Sequence, residues 1–99
     1  MLAYLKGDVD LSNAQSVKTE LMTAVPNTAS SLVLDLSDTT HLDSSGVQLL
    51  FELANRLESR GQKLNVVVPD NSIVKRVLVL TEVHQIVTLF SSVDAALRD

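Results

Sequence analysis

The sequence predicts an α/β domain built on a largely parallel sheet. Compact runs rich in Leu and Val occur at residues 31–36 and 64–68, and neither shows the apolar–polar alternation of a strand with one wet face. Stretches with an apolar residue every three or four positions lie between such runs, as expected for helices. Strands and helices that alternate at this spacing form parallel β–α–β units with right-handed crossovers. Residues 1–99 are expected to form a single domain.

The first third of the chain is expected to hold one strand and one helix. Leu2–Lys6 is short and mostly apolar, which indicates a strand, and Gly7-Asp8-Val9-Asp10 is expected to follow it as a turn. Asp10 is of the residue type that caps a helix N-terminus. The helix is predicted over residues 11–25, and Pro26-Asn27 ends it. Its apolar face consists of Leu11, Ala14, Val17, Leu21 and Val25.

The longest predicted helix follows the strand at residues 31–36 and a short polar loop. It is expected to run from about Ser45 to Ser59, and Gly61 lies where a C-terminal stop is common. Residues spaced three and four apart line one face of this helix. These residues are Val47, Leu50, Phe51, Ala54 and Leu57.

The last third is expected to continue with a short helix, a last strand and a terminal helix. Asp70 or Asn71 is suited to cap the short helix, although its VLVL stretch cannot be assigned to helix or strand by pattern alone. Val83–Phe90 indicates the last strand. Ser91, with Asp94 three residues later, resembles a capping box at the start of the terminal helix.

Composition limits the classes of function. Hydrophobic residues make up 45% of the chain and aromatic residues only 3%, so the core must be aliphatic. A net charge of −4 with scattered basic residues argues against direct nucleic-acid binding. The absence of cysteine excludes disulfides and thiolate metal sites. No apolar run has membrane-spanning length and no signal peptide is visible, so we expect a cytoplasmic protein without membrane insertion.

The tetrad Asp43-Ser44-Ser45-Gly46 is the strongest candidate site, because it joins a strand and its loop to the longest helix. Open α/β sheets usually place their sites at the carboxyl ends of strands. A serine at a helix N-terminus accepts a phosphate well, since unpaired backbone N–H groups and the positive end of the helix dipole favour an anion. The alternative is that a serine or Asp43 only caps the helix and that Gly46 permits close packing.

Residues suited to catalysis are sparse. A serine hydrolase needs a G-x-S-x-G turn or a general base, but the glycine spacing is wrong here and His41 lacks a group to orient it. Neither an EF-hand nor a glycine-rich nucleotide loop occurs. We therefore expect no catalytic residue, no cofactor and no metal site. A magnesium site is the less favoured alternative, and its candidate ligands are Asp8, Asp10, Asp35, Asp38 and Asp43.

Two leucines of the long helix lie off its apolar stripe. Leu49 is expected to point away from the stripe and Leu53 lies at its margin. Exposed leucines one turn apart, just beyond a serine that can be phosphorylated, would form a docking patch. For Leu53, burial under a neighbouring helix or loop is an equally good interpretation.

Three motifs resemble those of a known family. Gly7-Asp8-Val9-Asp10 matches a G-[ED]-x-D turn, residues 32–46 match a strand and spacer that end in D-S-[ST]-G, and residues 74–78 match an xVKRxL segment. Together these motifs span nearly the whole chain. The chain therefore resembles STAS domains, specifically the bacterial anti-sigma-factor antagonists.

This resemblance implies both a fold and a switch. The fold is a STAS-like sheet of four to five strands, mixed but mostly parallel, with about four helices packed mainly on one side. The serine after the aspartate, Ser44, is the implied phosphorylation site. In that family the unphosphorylated antagonist binds an anti-sigma-factor serine kinase and releases the sigma factor, after which the kinase phosphorylates it and a phosphatase resets it. We expect the kinase to contact Asp8, Asp10, Asp43, Ser44, Ser45, Gly46 and Leu49.

The same family also implies a second use. STAS domains serve as subunits of lipid-transport ATPase complexes and as parts of anion transporters. In such an assembly Ser44 would only cap its helix, and its charge would not control binding.

Overall fold

The computed structural model describes residues 1–98 and confirms the α/β class. Strands and helices alternate along the chain except at two places, where one strand directly follows another, and one short 3-10 turn lies at Val83–Gln85. The strands are β1 (Leu2–Tyr4), β2 (Gly7–Val9), β3 (Ser31–Asp35), β4 (Thr39–Leu42), β5 (Lys63–Val67) and β6 (Thr88–Phe90). The helices are α1 (Ala14–Ala24), α2 (Ser44–Ser59), α3 (Ile73–Leu80) and α4 (Val93–Leu97).

The strands form two sheets in which every pairing is parallel. The main sheet has four strands in the order β1-β3-β5-β6. Strands β2 and β4 pair separately as a two-stranded ribbon. The expectation of four to five mostly parallel strands is confirmed, and the sheet is not mixed among residues 1–98.

Alternation along β3 and β5 separates two hydrophobic layers. The first face of the sheet carries Leu32 and Leu34 of β3 beside Leu64 and Val66 of β5, and it joins the large core beneath α1, α2 and α3. The opposite face carries Val33 and Val67, which pack with Ala96 of α4. Three helices therefore lie on one side and the short α4 on the other, as expected for a fold with its helices mainly on one side.

The ribbon is the largest departure from the expected elements. Gly7–Val9 is a strand rather than a turn, and Thr39–Leu42 is a strand rather than part of a polar loop. Each segment contains polar residues and gains its backbone partners from a segment more than 30 residues away. Because such pairing is not local, neither segment carries a strand pattern of its own.

Helix boundaries also differ from the expected ones in places. Helix α1 begins at Ala14, so Leu11 lies in the turn before it and is exposed. The VLVL stretch is helical and belongs to α3, which is capped by Ser72 rather than by Asp70 or Asn71. The predicted last strand is replaced in its first half by the 3-10 turn. Ser92, not Ser91, caps α4.

No helix among residues 1–98 combines the length and the hydropathy needed to cross a lipid bilayer.

Candidate functional site at the start of α2

The ribbon fixes the position from which α2 starts. Val9 of β2 pairs with Leu42 of β4, and both side chains are buried. The Asp43 N–H then donates to the Val9 carbonyl at 3.3 Å, which extends the pairing into the first residue after β4. The chain therefore enters α2 directly from a strand held by the core.

Acidic side chains lie on the solvent side of this ribbon. Asp8 pairs with His41 across the two strands, and both residues are exposed. The Thr40 hydroxyl donates to the Asp8 carboxylate at 2.9 Å. Together with Asp10 and Asp43, these residues form a largely acidic surface beside the start of α2. We call this surface the ribbon surface (Asp8, Asp10, His41 and Asp43).

Asp10 stabilises the turn before α1 instead of capping the helix. Its carboxylate accepts hydrogen bonds from the Ser12 N–H at 3.0 Å and from the Ser12 hydroxyl at 2.5 Å. Asn13 is the N-cap residue of α1, and its side-chain amide donates to the Asp8 carbonyl at 2.8 Å. The hydrogen bonds from Ser12, aided by attraction to His41, hold the pKa of the Asp10 carboxyl below its usual value.

The turn and the Asp8–Thr40 contact were not anticipated from the sequence. The D-x-S spacing of Asp10 and Ser12 is a recognisable signal for a side-chain turn of this kind. By contrast, the contact between Asp8 and Thr40 joins residues 32 positions apart and has no local signal.

Asp43 caps α2 and uses the free backbone donors of its first turn. One carboxylate oxygen of Asp43 accepts from the Ser45 N–H at 2.8 Å and from the Gly46 N–H at 3.3 Å. The expectation that these N–H groups are unpaired, and so available to a phosphate, is therefore wrong. Ser44 is the first residue of α2 and is exposed, so a phosphate there would project into solvent next to the Asp43 carboxylate.

Gly46 lies in the most tightly packed part of the site. It is buried, and a Cβ atom placed on it would lie 2.4 Å from Leu42 Cδ1 and 3.1 Å from the Val9 carbonyl oxygen. The absence of a side chain lets α2 approach the ribbon closely. Gly46 therefore fixes the position of α2 on the ribbon, and it is too buried to contact a partner itself.

Leu49 and Leu53 do not form an exposed patch. Leu49 is only 3% exposed and Leu53 is fully buried. The sheet covers one side of α2 and α1 packs along another, so its apolar arc is wider than a single stripe. The predicted exposure of Leu49 is wrong for this reason, and of the two interpretations of Leu53 burial is confirmed.

A shallow groove of about 170 Å³ runs between α1 and α2 beside the tetrad. Leu49 lies in its wall, as do Ser45, which is half-buried, and the exposed Leu11. An ion pair between Lys18 and Glu52 bridges the two helices along the groove. Leu49 thus remains adjacent to the surface around Ser44, as an apolar wall of this groove.

The described residues do not bring catalytic groups together. No hydrogen bond joins either histidine to Ser44 or Ser45 within residues 1–98. In the same range no group of three or more His, Cys, Asp or Glu side chains is placed to hold a metal ion. Asp35, one of the candidate ligands, accepts hydrogen bonds from the Ser37 N–H at 2.9 Å and the Ser37 hydroxyl at 2.6 Å.

Asp43→Ala is expected to lower the free energy of unfolding by about 1 kcal/mol, since it removes the cap from two backbone donors of α2. Urea unfolding followed by circular dichroism measures the loss. Asp43→Asn is the matched variant, because an amide oxygen still accepts from the Ser45 and Gly46 N–H groups. An equal loss in both variants would show that the charge, and not the cap, stabilises this helix end.

Comparisons with known proteins agree on the fold. A family model described as the STAS domain matches residues 1–96. An anti-sigma factor antagonist from Mycobacterium paratuberculosis superposes with a TM-score of 0.84 at 24% identity, over 99% of this chain and 86% of its own. The anti-sigma factor antagonist SpoIIAA in its unphosphorylated form gives 0.75 at 18% identity, over 96% and 83% of the two chains.

A transporter domain is similar as well. The STAS domain of a SulP transporter from Vibrio cholerae gives a TM-score of 0.73 at 25% identity, over 97% of this chain and 76% of its own. A search among curated protein sequences returns no significant match. The family match extends over almost the whole chain, and the parallel sheet and the one-sided helices agree with the folds of the similar structures. This chain belongs to the STAS domain family.

Proposed function

We propose that this STAS domain is a protein-binding module switched by phosphorylation of Ser44. Unphosphorylated, it binds an anti-sigma-factor serine kinase and so releases the sigma factor that the kinase holds. The position of Ser44 carries the proposal, because its side chain is exposed at the first residue of α2 and adjoins the acidic ribbon surface. The fold likeness to anti-sigma factor antagonists, one of them solved in an unphosphorylated form, supports this class of partner.

Charge explains why a phosphate at Ser44 would release the partner. The phosphate adds about −1.5 to −2 charges at pH 7. Inside this domain the N–H groups of Ser45 and Gly46 already donate to Asp43, so the dianion gains little from them. A partner packed over Ser44 would therefore have to desolvate the phosphate beside a second anion, which is costly.

The other site residues divide into two roles in this proposal. Asp8, Asp10 and Asp43 supply the negative charge that a basic partner surface complements, and Ser45 adds a half-buried hydroxyl at the groove. Gly46 and Leu49 are buried and act as support: Gly46 seats α2 on the ribbon, and Leu49 forms the groove wall.

In the proposed phosphorylation cycle, this domain is the substrate and catalyses no step itself. The kinase that it binds transfers the γ-phosphoryl group of ATP to the Ser44 hydroxyl, and a separate phosphatase removes it. The domain needs no cofactor and acts in the cytoplasm, where the sigma factor and its kinase are found.

Phosphorylation of Ser44 is tested by incubating the domain with an anti-sigma-factor serine kinase and ATP. Intact mass should increase by one phosphoryl group in the unmodified protein and in Ser45→Ala, but not in Ser44→Ala. Ser45→Ala is the matched control, because Ser45 follows Ser44 in the same turn. Equal phosphorylation of Ser44→Ala and of the unmodified protein rules out the assignment.

The switch is tested by binding of the same kinase to Ser44→Ala and Ser44→Asp. Ser44→Asp should bind at least about tenfold more weakly, a difference of about 1.4 kcal/mol. Thermal unfolding of both variants is the control, because an exposed first-turn residue should change stability little. Equal binding by two folded variants contradicts the switch.

The likeness to the SulP transporter domain supports a second function. In that case the domain is a constitutive part of an anion transporter or of a lipid-transport ATPase complex. Ser44→Asp would then leave assembly with the transporter unchanged, and the domain would resist phosphorylation by an anti-sigma-factor kinase.

A further inference from the structure

Helix α3 presents a second surface, separate from Ser44. Its inner side packs against β4 and the 3-10 turn through the buried Val74 and Leu78. The Ser72 hydroxyl caps its start by accepting from the Lys75 N–H at 3.0 Å, and the Thr81 hydroxyl donates to the Val77 carbonyl at 2.7 Å near its end. Packing and capping thus fix the orientation of α3, and its outer side faces solvent.

Large apolar side chains are concentrated on that outer side. Ile73 and Leu80 are each 75% exposed and Val79 is 43% exposed, all within a helix of 8 residues. At 100° per residue they share one arc, with Arg76 between them. Beside this arc lies a shallow cavity of about 360 Å³, walled by Val79 and Leu80 together with Lys75 and Arg76. We call this area the α3 surface (Ile73, Lys75, Arg76, Val79 and Leu80).

The charge of the α3 surface is opposite to that of the domain. Lys75 forms an ion pair with Asp70 at 2.8 Å, whereas Arg76 has no such partner among residues 1–98. The surface is therefore apolar with a free guanidinium, on a chain whose net charge is −4. A partner that complements it needs apolar side chains flanked by carboxylates, because arginine binds carboxylates through two parallel hydrogen bonds.

The shape of the α3 surface favours a helix as that partner. The exposed stripe extends along two turns of α3, about 10 Å, which matches the i, i+4 and i+7 side chains of a second helix. A membrane is less suited, because stable adsorption takes a larger apolar face and several basic residues. We infer that the α3 surface binds an acidic amphipathic helix of a partner protein, independently of Ser44.

A synthetic helical peptide of about 18 residues tests this inference. It carries leucines on one face and glutamates along both flanks, and a second peptide has lysine in place of every glutamate. Titration into ¹⁵N-labelled protein, monitored by NMR, should perturb amides of residues 70–80 with the acidic peptide only. Fluorescence anisotropy of the labelled peptide gives the dissociation constant.

Charge and apolar variants locate the contact. Arg76→Glu and Leu80→Ser should each weaken acidic-peptide binding about tenfold. Arg98→Glu and Leu97→Ser are the matched controls, because they make the same changes at exposed positions at the C-terminal end of α4. Each should keep the affinity for the acidic peptide within about twofold of the unmodified protein. Ser44→Asp should leave peptide binding unchanged, which separates this inference from the kinase switch.

Several outcomes overturn the inference. No saturable binding below about 1 mM, or equal binding of the lysine peptide, removes the acidic helix as the occupant. Binding to vesicles containing phosphatidylglycerol that Arg76→Glu abolishes assigns the surface to a membrane instead. A dimer in analytical ultracentrifugation that Leu80→Ser dissociates assigns it to a second copy of the chain.

Discussion

Replacing Leu49 with alanine is expected to lower the free energy of unfolding by about 2–3 kcal/mol. The side chain is 3% exposed and packs in the main core, so truncation removes buried methyl groups and leaves a cavity. The groove beside it admits solvent, which places the cost at the low end of the range for buried leucines. Urea unfolding followed by circular dichroism gives this change in the free energy of unfolding.

Leu11→Ala is the matched control for this change. Leu11 lines the same groove but is 83% exposed, and it should alter stability by less than about 0.5 kcal/mol. The pair separates packing from partner contact, because a solvent-exposed docking residue can be truncated at no cost to the fold. If Leu49→Ala is as stable as the unmodified protein, Leu49 is not a core residue, and the interpretation as an exposed docking residue that the helical pattern predicts is correct.

Leu49 also shows why helical periodicity predicts only some of the buried residues of α2. The pattern of α2 predicts one apolar stripe facing one sheet, and this stripe is buried except for Phe51, which is partly buried. It carries no information about α1, which packs on another side of α2 and buries Leu49 as well. Burial of this second arc depends on the position of α1, which lies 25 to 35 residues before Leu49 in the chain, and no local pattern encodes that position.

The strands and helices also differ in whether local sequence or long-range pairing determines them. The runs that became β3 and β5 are apolar and lie within one residue of their observed bounds, and α2 starts at Ser44 rather than Ser45. Their patterns are local, so the sequence predicts them well. The ribbon strands contain polar residues and depend on each other for pairing, so they were expected as a turn and a loop. The ribbon carries Asp8 and His41, and Asp10 directly follows its first strand. Motifs in the sequence therefore identify candidate residues, but they do not predict that these residues share one surface.

Gly46→Ala is expected to destabilise the domain by about 1–3 kcal/mol, although alanine is the better helix former. Helix propensity alone would stabilise α2 by about 1 kcal/mol. Against this, the new Cβ would lie 2.4 Å from Leu42 Cδ1, 2.9 Å from Leu42 Cγ and 3.1 Å from the Val9 carbonyl oxygen. The Leu42 side chain is buried and has little room to move, and the carbonyl belongs to the ribbon backbone, so overpacking outweighs propensity. Calorimetry should show a fall in Tm of about 4–8 °C per kcal/mol.

A double-mutant cycle with Leu42→Ala identifies the cause. Truncation of Leu42 removes two of the three close contacts, so Gly46→Ala should cost at least about 1 kcal/mol less in that background. The contact with the Val9 carbonyl remains in both backgrounds and sets the residual cost. If Gly46→Ala costs the same with and without the Leu42 side chain, the close approach of α2 to the ribbon does not explain the glycine. In the protein with Leu42 intact, the overpacking should push the start of α2 away from the ribbon. Ser44 would move with it, so Gly46→Ala should also weaken binding of the kinase that we propose as the partner.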